Sequence, residues 1–166
     1  MQSWGQRVIG AAKLDINTYE EVEADEGATM QAAGVVLLAA LAQAVGASGS
    51  GSAIGAAIGG LVGWAIWAGL TYMIGAYVFK GTATWGELLR TLGFAQSPRF
   101  LLVLGFIPVI GWMLGAVVFI WVLIAGIIAI RQALDISTAQ AIGVALIGWA
   151  VMFAVSIVFG LSSMAA

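Results

Sequence analysis

The side chains that could do chemistry are few, and the densest group of them lies near the amino terminus. Five acids fall within seven residues: Glu20, Glu21, Glu23, Asp25 and Glu26. The chain of 166 residues contains no His and no Cys, which excludes a Ser-His-Asp triad, thiolate chemistry and His-ligated haem. Because no acid–base pair can be placed in a sheltered site, we expect no enzymatic activity, no catalytic residue and no metal ligand.

The acidic run has two interpretations. It can be a solvated helix start, because the positive end of the helix dipole favours acids in a first turn. It can instead be a docking patch for a basic partner or for two arginines of the following loop, Arg90 and Arg99. We therefore treat the five acids, Arg90 and Arg99 as candidate docking residues.

Small residues recur at helical spacing in two segments. The candidates for close helix packing are Gly55, Gly59, Gly60, Gly63, Gly111 and Gly115. Small residues spaced by four let helix backbones approach closely in lipid. The same face can serve packing within the chain or packing against another protein, and both alternatives stay open.

Four of the seven tryptophans fall near the middle of apolar segments: Trp64, Trp67, Trp121 and Trp149. Such rings fill gaps between helices, face acyl chains or line a site for a lipid, a quinone or a pigment. No ligating side chain accompanies them, so we predict no cofactor and name the four rings as candidate lipid or cofactor contacts.

The amino-acid composition indicates which kind of secondary-structure element carries these residues. The chain is 62% apolar and 8% charged, whereas a soluble domain is about 45–50% apolar and about 25% charged. Three long stretches carry no charge, at residues 27–79, 100–130 and 136–166. One membrane crossing needs about 20 apolar residues. The sequence therefore predicts an all-α, polytopic membrane bundle of about five transmembrane helices.

We divide the chain into a cytoplasmic amphipathic and acidic segment over 1–27 and a transmembrane bundle over 28–166. The spans are predicted at 28–47, 53–79, 98–110, 112–134 and 138–161, with an amphipathic loop at the membrane interface over 80–97. A Gly/Ser run at 48–52 separates the first two spans. Pro108 interrupts the third span, which we expect to be short, kinked or re-entrant.

The basic residues predict the orientation of this bundle. With five crossings, one side holds Arg7, Lys13, Lys80, Arg90, Arg99 and Arg131, which are all the basic residues present. Because basic loops stay in the cytoplasm, the amino terminus is predicted to be cytoplasmic. The interiors of the predicted spans carry no ionisable group, which argues against a proton-coupled transporter.

Three stretches resemble bacterial members of the Yip family, the Ypt/Rab-interacting membrane proteins. They are RVIG, TYEEVEAD and AT at 7–10, 18–25 and 28–29, GELLR and GF at 86–90 and 93–94, and RQALDIST at 131–138. The resemblance implies a five-span fold with a cytosolic amino terminus. Eukaryotic relatives bind prenylated Rab-type GTPases and form hetero-oligomers. Their Asp-Leu-x-Gly-Pro motif is replaced here by DEGAT at 25–29, which argues against a GTPase partner.

From these features we expect a non-enzymatic scaffold or accessory subunit of a larger membrane assembly, acting through helix packing and cytoplasmic docking. The alternative is a small channel or transporter for an uncharged or lipidic substrate. The expected partners are membrane lipids and other membrane protein subunits or a second copy of the chain, and not nucleic acid. The expected location is the bacterial inner membrane.

Overall fold

The computed structural model describes residues 2–47, 52–107 and 109–164, and side chains of the last helix up to Ala154 and at Ile157. The described part is helical and contains no strand. Its elements are α1 (Trp4–Ala12), α2 (Ile16–Ala24), α3 (Ala28–Gly46), α4 (Ala53–Tyr77), α5 (Trp85–Phe94), a 3-10 helix (Ser97–Phe106), α6 (Ile110–Leu134) and α7 (Thr138–Met164). The predicted all-α membrane bundle is confirmed. Most of the expected Gly/Ser turn, at 48–51, and Pro108 lie outside the described residues.

Three helices are long and apolar enough to cross a bilayer: α3, α4 and α6, with mean hydropathies of 1.7, 1.7 and 2.8. The 27-residue α7 follows them. The outward-facing side chains of these helices are apolar, and Ile58, Phe119 and Leu146 are each more than half exposed. Apolar surface of this extent marks contact with lipid. The ends of α3, α4, α6 and α7 lie within three residues of four of the predicted spans.

The segment predicted as an interfacial loop, 80–97, contains a helix. Its helix α5 is inserted between α3 and α4, and Leu88, Leu92 and Phe94 are each at most 2% exposed. A methyl group on Gly93 would lie 2.7 Å from the Cβ of Ala32 on α3. The apolar face of α5 thus packs against neighbouring helices, and the position of this segment at the membrane interface stays a prediction.

The 3-10 helix continues from α5 towards the far end of the bundle. Its ten residues span about 20 Å at about 2.0 Å per residue. It meets the end of α3 so closely that a methyl group on Gly46 would lie 1.8 Å from the carbonyl oxygen of Leu102. The 3-10 helix overlaps the third span that the sequence predicts at 98–110, and α5 precedes it in the chain.

Helices α1 and α2 form a hairpin that belongs to the same core. Tyr19 and Val22 of α2 are fully buried, and the Tyr19 hydroxyl donates a hydrogen bond of 3.1 Å to the carbonyl of Ala11. The indole N–H of Trp121 on α6 donates to the carbonyl of Ala12 at 2.7 Å. The amino-terminal segment therefore packs on the bundle as a fixed element.

Candidate functional site

Arg7 of α1 joins three elements at one end of the bundle. Its side chain is almost completely buried and pairs with Glu21 at 2.9 Å and with Asp25 at 2.7 Å. It also donates to the side-chain oxygen of Gln31 on α3 at 3.1 Å. These contacts connect α1 to the end of α2 and the start of α3, so Arg7 holds the hairpin against the bundle.

The two acids that pair with Arg7 titrate below their usual range. For Glu21, hydrogen bonds from the Gln2 backbone and from Arg7 lower the pKa. For Asp25, the hydrogen bond from Arg7 is the main cause of a lowered pKa. Both carboxylates are thus charged at neutral pH and committed to contacts inside the chain.

Arg90 of α5 binds the last turn of α2, the second helix of the same hairpin. It is 6% exposed, and its Nε donates to the carbonyls of Val22 at 3.1 Å and of Glu23 at 2.9 Å. These are carbonyls in the last turn of α2, where a cation is favoured by the negative end of the helix dipole. Arg90, predicted as a docking residue, therefore caps an internal helix.

The remaining acids of this end come together from separate segments. Burial first, and then the nearby charges of Asp135, Glu87 and Glu20, raise the pKa of Glu23 to about 7. The amide of Gln132 on α6 donates to Glu20 at 2.9 Å. We call Glu20, Glu23, Glu87 and Asp135 the acidic end cluster.

Of these acids, Glu87 and Asp135 were not among the predicted docking residues. Their neighbours in the sequence give no sign that α5 and the turn after α6 converge on α2. Glu26, which was predicted, has an exposed side chain that takes no part in the cluster.

A cavity of about 850 Å³ lies among α3, α4, α7 and the start of the 3-10 helix. Four of the candidate packing glycines line it: Gly55, Gly59, Gly60 and Gly63. A methyl group on Gly60 would lie 2.8 Å from the Cβ of Ala40, whereas one on Gly59 or Gly63 would meet nothing within 4 Å. We call Gly55, Gly59, Gly60 and Gly63 the glycine ridge. The ridge packs closely on α3 at Gly60, and its other glycines face the cavity.

The two glycines predicted on α6 behave differently from each other. A methyl group on Gly111 would lie 2.1 Å from the carbonyl oxygen of Gly105, so this residue allows the tight approach of α6 to the 3-10 helix. A methyl group on Gly115 would meet nothing within 4 Å. The spacing of small residues thus found only part of the closest contacts and missed Gly46 and Gly93.

Three of the four candidate tryptophans converge on the cavity. Trp64, Trp67 and Trp149 line it, and Trp149 is 62% exposed. Trp64 also donates its indole N–H to the carbonyl of Leu89 on α5 at 3.0 Å. Trp121 lies elsewhere and holds α1, as described above. The sequence does not show that three of the four rings line one cavity, because this depends on which face of α4 meets α7. Their role as lipid or cofactor contacts stays a prediction.

Arg99 lies at the polar end of this cavity. It donates to the side-chain oxygen of Gln96 at 2.9 Å and to that of Gln43. Gln43 is about 22 Å along α3 from Ala28, at 1.5 Å per residue. Arg99 therefore lies towards the end of the bundle away from Arg7 and Arg90, which differs from the expectation that all basic side chains share one side.

No carboxylate of the described residues forms an ion pair with Arg99. Among the described side chains, the ion pairs are those of Arg7 with Glu21 and Asp25. The groups that bind Arg99 are neutral amides, as the contacts above show. A charged side chain in an apolar bundle normally pairs with a group of opposite charge, and the groups that contact Arg99 here are neutral.

Comparison with known proteins gives one match. The family model of the Yip1 domain matches residues 22–159. No curated protein and no solved structure matches the chain. The match covers the end of α2, the whole of α3 to α6 and most of α7. It includes the cavity and, of the acidic end cluster, Glu23, Glu87 and Asp135 but not Glu20. The chain is therefore a membrane protein that belongs to the Yip1 domain family.

Proposed function

We propose that this Yip1 domain protein is a non-enzymatic scaffold or accessory subunit of a larger membrane assembly. It acts through close helix packing inside the membrane and through docking of a partner at the end that carries α1 and α2. We further propose that it lies in a bacterial inner membrane with this end in the cytoplasm.

The proposal rests on the contacts of Arg7 and Arg90, which hold the α1–α2 hairpin in a fixed position on the bundle. A flexible amino-terminal segment would not require a buried arginine that pairs with two acids. Fixing the hairpin also fixes the acidic end cluster, because Glu20 and Glu23 lie on α2. A preorganised surface of this kind lowers the entropy cost of binding a partner.

The chemistry of the surface indicates a basic partner. Burial is the main cause of the raised pKa of Glu23, and the nearby charges of Asp135, Glu87 and Glu20 add to it, so these acids disfavour the ionisation of Glu23. A Lys or Arg of a partner would relieve this repulsion, and complementary charge of this kind gives specificity and faster association. The packing glycines, above all Gly60 and Gly111, keep the helices that support the surface close together.

The test is purification of the tagged chain in mild detergent, followed by mass spectrometry of stoichiometric partners. The double variant Glu20→Gln/Glu23→Gln removes charge from the cluster and should reduce partner recovery about tenfold, since each charged contact contributes up to several-fold. Glu26→Gln removes an acid outside the cluster and should leave recovery unchanged. Equal recovery with the double variant, or the absence of any stoichiometric partner, would contradict the proposal.

The cavity favours a second candidate function, a small channel or transporter for an uncharged or lipidic substrate. Its lining of glycines and tryptophans is suited to an apolar solute. Flux of such a solute into liposomes that contain only this chain would support this candidate over the scaffold. Tight liposomes at the same protein density would exclude it.

A further inference from the structure

We propose that the cavity beside Arg99 is a binding site for one anionic phospholipid. The phosphate lies at Arg99, and an acyl chain runs along the glycine-lined floor to the tryptophans. This inference does not depend on the proposed function, because the cavity and the acidic end cluster lie at opposite ends of the bundle.

The size of the cavity suits a lipid chain. Its volume of about 850 Å³ falls in the range of about 300–1,000 Å³ typical of ligand sites. From Gly55 to Gly63 its floor is about 12 Å long at 1.5 Å per residue. Without side chains on Gly59 and Gly63, the floor leaves room beside α4 that no other described group fills.

The polarity of the cavity is graded from one end to the other. Gln43, Ser52 and Arg99 line the end next to the connection between α3 and α4, where a membrane interface would lie. Trp67 and Trp149 line the cavity deeper along the bundle, and Trp67 packs against α7 at Gly148. An amphiphile with a polar head at the first end and an apolar tail at the second matches this gradient.

The positive charge of Arg99 favours a lipid with an anionic head group. Its guanidinium is bound only by the neutral amides of Gln43 and Gln96 in the described structure, so its full positive charge remains to be balanced. A phosphate can accept two parallel N–H bonds from a guanidinium, which is the geometry that arginine satisfies better than lysine. A lipid with net negative charge also compensates the cation, which a zwitterionic lipid does only in part.

The first experiment measures lipid binding to the full chain in neutral detergent by native mass spectrometry. Phosphatidylglycerol and phosphatidylcholine with identical chains are titrated separately. The wild-type chain should bind one phosphatidylglycerol at least about tenfold more tightly than phosphatidylcholine, because the choline ammonium of phosphatidylcholine cancels the phosphate charge that would otherwise compensate Arg99.

Two variants show whether Arg99 is the cause of this preference. Arg99→Gln should abolish it. Arg131→Gln removes a cation from the last turn of α6, at the other end of the bundle, and should retain it. No preference in the wild type, or an unchanged preference in Arg99→Gln, would overturn the proposal.

A second pair of variants tests the floor of the cavity independently of charge. Gly59→Leu places a side chain in the open cavity and should reduce binding of both lipids at the first site about tenfold or more, by occupying the space of the acyl chain. Gly115→Leu places the same side chain in open space on α6, away from the cavity, and should bind as the wild type does. Unchanged lipid binding by Gly59→Leu, or a protein helix that crosslinks at Gly59 in place of lipid, would show that the occupant is not a lipid.

Discussion

At the scale of single residues, two buried arginines, Arg7 and Arg90, hold the amino-terminal hairpin against the bundle. Arg90 was identified from the sequence as a docking candidate, whereas Arg7 was not singled out. Neither role could be predicted, because the groups that bind Arg7 are 14 to 24 residues away and those that bind Arg90 are 67 and 68 residues away. Sequence spacing reports contacts along one helix, and these contacts cross between helices.

Replacing Arg7 tests its role in holding the hairpin. Arg7→Met keeps the length of the side chain but removes the ion pairs with Glu21 and Asp25, and breaking a buried pair is strongly destabilising. We expect the midpoint of thermal unfolding in detergent to fall by several degrees. Lys13→Met, which removes an exposed cation from the end of the same helix, should change it little. Equal midpoints for Arg7→Met and wild type would mean that the hairpin is not held by this residue.

Glu23 gives the stability of the chain a defined pH dependence. Its pKa is raised to about 7 in the folded chain from 4.5. Between these two values the unfolded chain has lost a proton that the folded chain keeps, so stability falls as the pH rises through this window. Glu23→Gln, which stays neutral, should therefore raise the thermal midpoint at pH 8 and leave it nearly unchanged at pH 4.5.

The control for this pH effect is Glu26→Gln, which removes an exposed carboxylate outside the acidic end cluster. It should shift the midpoint by a similar small amount at both pH values. A pH profile of Glu23→Gln that parallels the wild-type profile would show that Glu23 ionises in the folded chain as it does in the unfolded chain.

At the scale of elements, the long helices could be predicted from the sequence, whereas the packing of α5 could not. Length and apolar composition alone determine α3, α4, α6 and α7, because lipid requires every backbone group to bond within its own segment. The leucines of α5 share one helical face, which is typical both of a surface helix and of a packed one. What decides between them is the contact of Gly93 with Ala32, and this contact depends on the position of α3.

Gly93→Ala tests the insertion of α5 directly. The added methyl group would lie 2.7 Å from the Cβ of Ala32 and 3.3 Å from its backbone, so the helices must separate. Overpacking of this kind costs about 1–3 kcal/mol, to be measured as the free energy of unfolding in detergent. Gly126→Ala adds the same group on α6 where nothing lies within 4 Å, and it should be neutral or stabilising. If both variants unfold alike, α5 is not inserted between α3 and α4.

At the scale of the whole molecule, the bundle has two different ends. One carries the locked hairpin and the acidic end cluster, and the other carries Arg99 and the mouth of the cavity. The glycines of α4 and the tryptophans were named from the sequence as candidates, but their common cavity follows from the rotation of α4 relative to α3 and α7. A single sequence does not contain that rotation, because α4 is apolar on every face.

We propose that α5 and the 3-10 helix together complete one of five crossings, and that the end of the bundle with the α1–α2 hairpin lies in the cytoplasm. The absence of Cys allows single cysteines to be placed and labelled with a membrane-impermeant maleimide in oriented vesicles. Cysteines at Glu26 and Gln140 should react only from the cytoplasmic face, and those at Ala47 and Ile107 only from the opposite face. Labelling of Ile107 from the same face as Glu26, or of Gln140 from the same face as Ala47, would contradict the account.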